Sequence, residues 1–418
     1  MFVVLFLAAL ILPKIYKDDI RVDLEREIDR MVEADVTFTD VDLRLLRHFP
    51  NLTLSLKDLL VVGKNEFKKD TLASVKEAQL EVNLWSLVAR KETEIKSVAL
   101  LDPKIEVYVL QNGKANYDIV KSTTDSTTES KKAVNIAIDN VSIHRGEIIY
   151  SDWQRNIFVT AVDIEHEGKG DFLEDVFDYK TETIVRQFSL NYDKVQYFLK
   201  KTVGIDMILE MNLPERKFTF KENRIQVNHF VFSIEGFFQQ VFNRYAMNVK
   251  FQAQETTFKN ILSLVPGLFM KNFDYMETRG DLGFSGFLDG VYSDSTNEMP
   301  AFHFDMNVRN AMVKIDSLPE AFNNINFELV IDNKERILDS TVIDLKNFHV
   351  DMGKHPVHGR IKIQGLHRPR VDVDVFANAD ISSIERLYPV RDLQLNARAC
   401  PSRDCRLRRN RLSAFHPP

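Results

Sequence analysis

Along most of this chain apolar residues recur at every second position, and only two stretches keep a helical spacing. Asp18 to Ala34 carries Ile20, Leu24, Ile28 and Met31 among many charges, the three-to-four spacing of an amphipathic helix. Beyond it Leu52, Leu54 and Leu56 alternate with Thr53 and Ser55 in a strand that closes at Gly63. Ala78 to Leu84 repeats the pattern and leads into a short apolar turn at Trp85 to Ala89. Ile95 to Leu101 and Lys104 to Leu110 read as two strands punctuated by Asp102-Pro103, the second turning at Gln111-Asn112-Gly113. Ile105, Val107 and Val109 point to one face of it, with Lys104, Glu106 and Tyr108 on the other.

The same alternation continues downstream. Val134 to Trp153 reads as a hairpin turning at Arg145-Gly146, and strands follow at Ile157 to His166, Lys217 to Phe220, Gln226 to Ile234 and Ala246 to Gln252. A second helix is expected over Thr257 to Val265, where Phe258, Ile261, Leu262 and Val265 share a face and Pro266 ends it. Phe302, Phe304, Met306 and Val308 alternate with His303, Asp305, Asn307 and Arg309; Val371, Val373 and Val375 alternate with Asp372 and Asp374. One apolar face per strand is the mark of antiparallel sheet covered on one side. The fold class is therefore mainly β with a few short helices.

Three segments break the pattern. Lys121 to Lys132 is Ser/Thr-rich without an apolar residue, so it cannot offset its ordering entropy and reads as a flexible loop or linker over 121–133. Met1 to Leu12 is an unbroken apolar run ahead of Pro13, Lys14 and Lys17. It falls short of the roughly 20 residues that span a bilayer and has no positive segment before it. It is expected to be the outer half of a membrane anchor (1–17) whose start lies upstream, with a cleaved signal as the alternative. Arg398 to Pro418 is Arg-rich, holds both cysteines and has no strand periodicity. It reads either as a basic tail for anionic partners or, preferred, as the product of a reading-frame shift that makes 397–418 foreign to the rest.

Several of these segments resemble one family, in its order. I-K-S-V-A-L-L-D-P-K-I-E-V-Y-V-L-Q-N-G-K-A-N-Y-D-I (Ile95 to Ile119) resembles the "P-x-i-x-l … G-x-x-N-[WY]" block of the AsmA family. F-P-N-L-T-L-S-L-K-D-L-L-V-V-G, E-V-N-L-W-S-L-V and the "G-x-i-x-Y-x-D" pattern ending at Asp152 are similar to further blocks, and so are L-S-L-V-P, M-P-A-F-H-F and I-S-S-I-E-R-L-Y-P. The resemblance implies an inner-membrane-anchored periplasmic protein of Gram-negative bacteria. It also implies an elongated antiparallel β-groove, a taco-like sheet with an apolar concave face, related to bridge-like lipid-transfer proteins. On that reading 18–120 is an N-terminal α+β unit and 134–396 the β-groove region. The expected groove lining is Ile105, Val107, Val109, Phe302, Phe304, Met306, Val371, Val373 and Val375.

Composition narrows the function classes. The chain has 418 residues, 44% of them apolar and 28% charged, which suits a folded chain with a large core. Thirty Phe against two Trp favours pleated surfaces. A net charge of -6 argues against nucleic acid as a partner, since phosphate binding needs a basic footprint. With Cys400 and Cys405 its two cysteines, the chain before them holds neither a disulfide scaffold nor a Cys-ligated zinc. His349, His355 and His358 give an i, i+3 pair but no third partner at metal spacing, and Pro356 bars a helical presentation. Asp372 and Asp374 read as the solvated face of a strand rather than a catalytic pair. The glycines of R-G-D-L-G-F-S-G-F-L-D-G lack a P-loop ending and read as bends and strand ends. No metal, no cofactor and no enzymatic activity are expected.

Two functions follow. The first is carriage of phospholipid along an apolar β-groove between inner and outer membranes, in outer-membrane biogenesis. The second is a non-catalytic periplasmic scaffold that assembles outer-membrane proteins through its sheet edges. The expected partners are the inner membrane, phospholipid and envelope proteins.

Overall fold

The computed structural model describes residues 17–44, 51–83, 95–119, 121, 138–262, 276–293, 295–315, 320–377 and 405–408. The apolar run at the N-terminus, Trp85 to Ala89, the linker apart from Lys121, I-S-S-I-E-R-L-Y-P and the tail apart from 405–408 lie outside these. Among the described residues no helix is long and apolar enough to cross a membrane. Two compact units divide after Leu213.

The first unit opens with helix α1 (Lys17–Met31), then β1 (Ala34–Thr37), β2 (Asp40–Arg44), β3 (Asn51–Gly63) and β4 (Thr71–Asn83). It continues through β5 (Ile95–Val109), β6 (Asn140–Asp152), β7 (Ile157–Lys169), β8 (Val176–Tyr192) and β9 (Val195–Asn212). β1 and β2 share one edge of β3, Ala34 opposite Gly63 and Val41 opposite Leu56. From β3 to β9 the strands pair in chain order and antiparallel, except that β5 and β6 run parallel, Val98 beside Val141 and Ile148 beside Ile105. The sheet is thus not antiparallel throughout. Parallel neighbours need a crossover. After Val109 the chain turns at Gln111–Gly113 and returns past the end of α1, where Lys121 N–H donates to Met31 O at 3.1 Å.

The second unit holds β10 (Lys217–Val227), β11 (Phe230–Val241), β12 (Arg244–Thr257), helix α2 (Phe258–Leu262), β13 (Met276–Tyr292) and β14 (Ala301–Ile315). It ends with β15 (Phe322–Asn333), β16 (Val342–Met352), β17 (His355–Gln364), β18 (Arg370–Ala377) and β19 (Cys405–Arg408). Each strand pairs antiparallel with the next in chain order. The expected strand Gln226 to Ile234 is two strands joined by a turn at Asn228, whose φ is 52°. β19 gives the tail one strand that its sequence pattern did not show.

Two expected turns are absent for a common reason. Asp102-Pro103 and Arg145-Gly146 sit inside continuous strands, with Asp102 at φ 48° and Arg145 at φ 53°. Successive core-facing positions here lie three residues apart rather than two: Leu56 and Leu59, Val75 and Ala78, Leu100 and Pro103, Ile143 and Gly146. Ala161 and Ile164, then Val185 and Phe188, repeat the step on β7 and β8. Six neighbouring strands insert an extra residue, β3 to β6 at one rung and β7 and β8 at the next, a column of bulges that bends each strand and strengthens its twist. β8 and β9 had no expected counterpart, because polar side chains interrupt the apolar face of β8.

Each unit seats a helix on one end of its apolar face. Leu24 and Ile28 of α1 pack against Phe38, Val41, Leu56, Val75 and Ala78, while Met31 is turned outward, 65% exposed. Phe258, Ile261 and Leu262 of α2 pack with Phe230, Ala253, Leu282, Val308 and Ala311. Val265, the fourth residue of that expected face, lies outside the described residues.

Candidate functional site

The cross-strand registers place apolar side chains opposite apolar side chains through both units. In the second unit one rung reads Phe238, Met247, Gly290 and the next Gly236, Val249, Leu288, Phe302. Further rungs read Ile234, Phe251, Gly286, Phe304, Ile331, Ile343, Ile363, Val371 and, beside it, Leu329, Leu345, Ile361, Val373. Phe304, Met306, Val371, Val373 and Val375 therefore share one face of the second unit with Phe302. Ile105, Val107 and Val109 lie on the apolar face of the first unit, beside Ile148, Tyr150 and Asp152. Val109 is buried; the other eight expected lining residues are half-buried.

Partial exposure is what sets this face apart from a sandwich core. A second sheet stacked on it would bury those side chains fully, about 10 Å away. Among the described elements α2 is the one outside the sheet that packs substantially on the second unit's face, against β12 and β13. The rungs beyond its reach keep water-accessible Phe, Ile, Leu and Val.

Glycines make room for the rings. Gly286 lies between Phe251 and Phe304, whose centroids are 5.2 Å apart, and a Cβ there would stand 2.4 Å from the Phe251 ring. Gly236 and Gly359 sit opposite Phe220 and Phe348, where a Cβ would instead meet neighbouring backbone, the Asn248 and Asp374 carbonyls. Within the 279–290 run, read as bends and strand ends, Gly286 is thus a mid-strand seat for an aromatic neighbour, while Gly283 has no ring beside it. Gly280 and Gly290 are the bends, with φ +120° and +131°.

The opposite face is charged. Arg360 binds Asp372 at 2.9 Å, Lys346 binds Glu328 at 2.7 Å, and His303 meets Asp332 at 2.9 Å. His349 and His358 stack on this side with centroids 6.2 Å apart, and His358 stacks in turn on Phe376. Nε2 of His349 is 3.0 Å from Asp351. His355 is instead opposite Met352 at the strand end. Among the described residues no group of three His, Cys, Asp or Glu is arranged to hold a metal.

The motif residues turn out to be fasteners. Asn116 is buried; its Oδ1 accepts from Tyr108 N–H at 2.9 Å and its Nδ2 donates to Glu106 O at 2.7 Å, which ties the returning chain to β5. Asp152, also buried, accepts from Arg155 N–H at 2.8 Å and from the Tyr150 hydroxyl at 3.0 Å, closing the β6–β7 turn. Burial works to raise the Asp152 carboxyl, but the Arg155 N–H, the Tyr150 hydroxyl and the Arg155 guanidinium together hold it below its ordinary value. Burial, with the same contact, pushes the Tyr150 phenol up to about 12. Pro103 fits against the space left by Gly146.

One group on the apolar face was not foreseen. β7 and β8 bring His166, Tyr179, Thr181 and Thr183 together there. The signal was present: Tyr179, Thr181 and Thr183 alternate with Asp178, Lys180 and Glu182, a strand pattern once hydroxyl-bearing residues are counted as facing inward.

Residues 1–212 of the 418 match the family model described as the AsmA family. No curated protein matches the chain. No solved structure matches it either.

Proposed function

The chain belongs to the AsmA family, and from that premise we propose that it is a non-enzymatic cell-envelope protein acting in outer-membrane biogenesis. It carries phospholipid along the apolar sheet face between inner and outer membranes, held at the inner membrane by an N-terminal anchor with the bulk of the chain in the periplasm. The observation that carries this reading is the run of half-buried apolar rungs outside the reach of α2, from Phe302 and Phe304 to Val371 and Val373.

The physical demand is large. A phospholipid has about 30 acyl CH2 groups, and exposing each to water costs roughly 0.8 kcal/mol, so ~25 kcal/mol opposes free passage. A continuous apolar surface removes most of that barrier while the head group stays wet. Phospholipid is expected to co-purify with the chain in native mass spectrometry. Phe304→Asp or Val373→Asp is expected to abolish uptake without unfolding the protein. A lipid-free protein that instead captures unfolded outer-membrane β-strands would replace lipid carriage with the scaffold function.

A further inference from the structure

The apolar face of the first unit contains a polar island near the turn that joins β7 to β8. His166 Nδ1 lies 2.8 Å from Thr183 Oγ1 and 3.3 Å from Thr181 Oγ1, and its Nε2 lies 2.9 Å from the Tyr179 hydroxyl. Apolar side chains surround the group. Ile143 is opposite His166 on β6, Ile205 and Met207 are opposite Thr183 and Thr181 on β9, and the next rung inward is Ile164 with Val185. Phe172, from the turn, lies edge-on to Tyr179 at 5.7 Å and tilted to Phe177 at 4.7 Å.

The arrangement is seated by a glycine. Gly168 lies beneath the Tyr179 ring, and a Cβ there would stand 1.7 Å from the phenol oxygen. The island carries no charge. Burial lowers the His166 imidazole and raises the Tyr179 phenol, so both stay neutral near pH 7. A neutral imidazole donates through one nitrogen and accepts through the other. If Nε2–H donates to the Tyr179 oxygen, a threonine hydroxyl donates to Nδ1 and the phenol O–H is left pointing outward as a donor. An uncharged donor among aliphatic side chains suits an acceptor such as an ester carbonyl; a phosphate would draw a cation instead.

We propose that His166, Tyr179, Thr181 and Thr183 form a binding site for the ester region of a diacyl lipid, its acyl chains directed along Ile164, Val185 and the apolar rungs beyond. This deepens the lipid-carrying function and rests on it. The test compares dioleoyl phosphatidylethanolamine with its diether analogue, both supplied from single-lipid vesicles to the full chain. Diphenylhexatriene, which has no polar group, serves as a third probe.

The wild type is expected to hold the diester about fivefold more tightly than the diether, the weight of one hydrogen bond. Tyr179→Phe, which keeps the contact with Phe172, should erase that preference and leave diphenylhexatriene binding unchanged. Gly168→Ala should do the same by displacing the phenol. Equal retention of diester and diether by the wild type, or an unchanged preference in Tyr179→Phe, would overturn the site while lipid carriage stands. Failure of the wild type to bind any of the three probes would overturn lipid carriage itself, and the site with it.

Discussion

Along the bulge column of the first unit the residues driven to positive φ are Asp58, Asp102, Arg145 and Asp163; in the second they are Gly280, Asn310, Asn324 and Asn347. The first column is laced on the charged face by ion pairs. Lys76 lies 3.7 Å from Asp102, Arg145 grips Asp102 at 2.6 Å, and Arg186 meets Asp163 at 2.8 Å. The second is laced by amides. Asn326 accepts from Asn310 N–H at 2.9 Å and donates to Asn324 O at 2.8 Å, and Asn324 donates to Asp351 at 2.6 Å. Both serve the same end, an extra residue that bends the strand while the apolar side chains on either side stay on one face. The bend requires the inserted residue, which at these eight positions takes positive φ; its charge is optional. Asp and Asn tolerate that conformation, and glycine does so without a side chain.

The largest expected effect tests whether helix-covered and open rungs differ as their exposure implies. Val41 under α1 and Val308 under α2 are 0% and 1% exposed. Val41→Asp or Val308→Asp should each cost about 4 kcal/mol or more and unfold its unit, as read by urea denaturation. Phe304→Asp, on a half-buried rung of the same sheet as Val308, should cost about 1–2 kcal/mol and leave a cooperative transition. Equal losses at Val308 and Phe304 would mean that the outer rungs are core after all, and would remove the open face on which lipid carriage depends.

This contrast also separates what was legible in the sequence from what was not. Alternation alone put Phe302, Phe304 and Met306 on one face and Val371, Val373 and Val375 on one face, and the registers join the two sets. The helix face of Leu24 and Ile28 was equally readable. Alternation carries no information about what lies above a face, so covered Val308 and open Phe304 look alike in the chain. The bulges misled for a chemical reason. Asp102-Pro103 and Arg145-Gly146 use the residue types of turns, because a bulge and a turn make the same local demand for positive φ. Only the neighbouring strands, each with its own inserted residue, distinguish them. The parallel pairing of β5 with β6 is set by the crossover, which no strand pattern encodes.

A smaller effect probes the glycine of the second column. A Cβ on Gly280 would stand 2.4 Å from Ala311 Cα, at φ +120° where L-residues are strained. Gly280→Ala should therefore cost about 2–3 kcal/mol in thermal unfolding. In the first column Arg145 and Asp102 already carry side chains at positive φ, so the demand for glycine is a matter of close packing at Gly280 and not of bulges in general. Asn326→Ala should cost less, about 1 kcal/mol for the hydrogen bonds to Asn310 and Asn324, by the same amount at low and high salt.

Asp102→Asn is the smallest change and the one most dependent on conditions. The Arg145 hydrogen bond is the largest influence on the Asp102 carboxyl, and with the charges of Arg145 and Lys76 it holds the group below its ordinary 3.8. A carboxyl depressed in the folded state stabilises that state fully above its unfolded value, and the contribution is lost as pH falls through the folded one. Asp102→Asn should accordingly lower the melting temperature slightly and constantly above about pH 5, and the deficit should vanish in acid below 3.8. Because Arg145 is more than half exposed, with 55% of its side chain accessible, the deficit should also shrink as salt is raised toward about 1 M, where the Debye length is ~3 Å. Asn326→Ala provides the control, since its deficit should move with neither pH nor salt. If both variants responded to salt alike, the two columns would not differ in the forces that hold them, and the division into an ionic and an amide bulge column would fail.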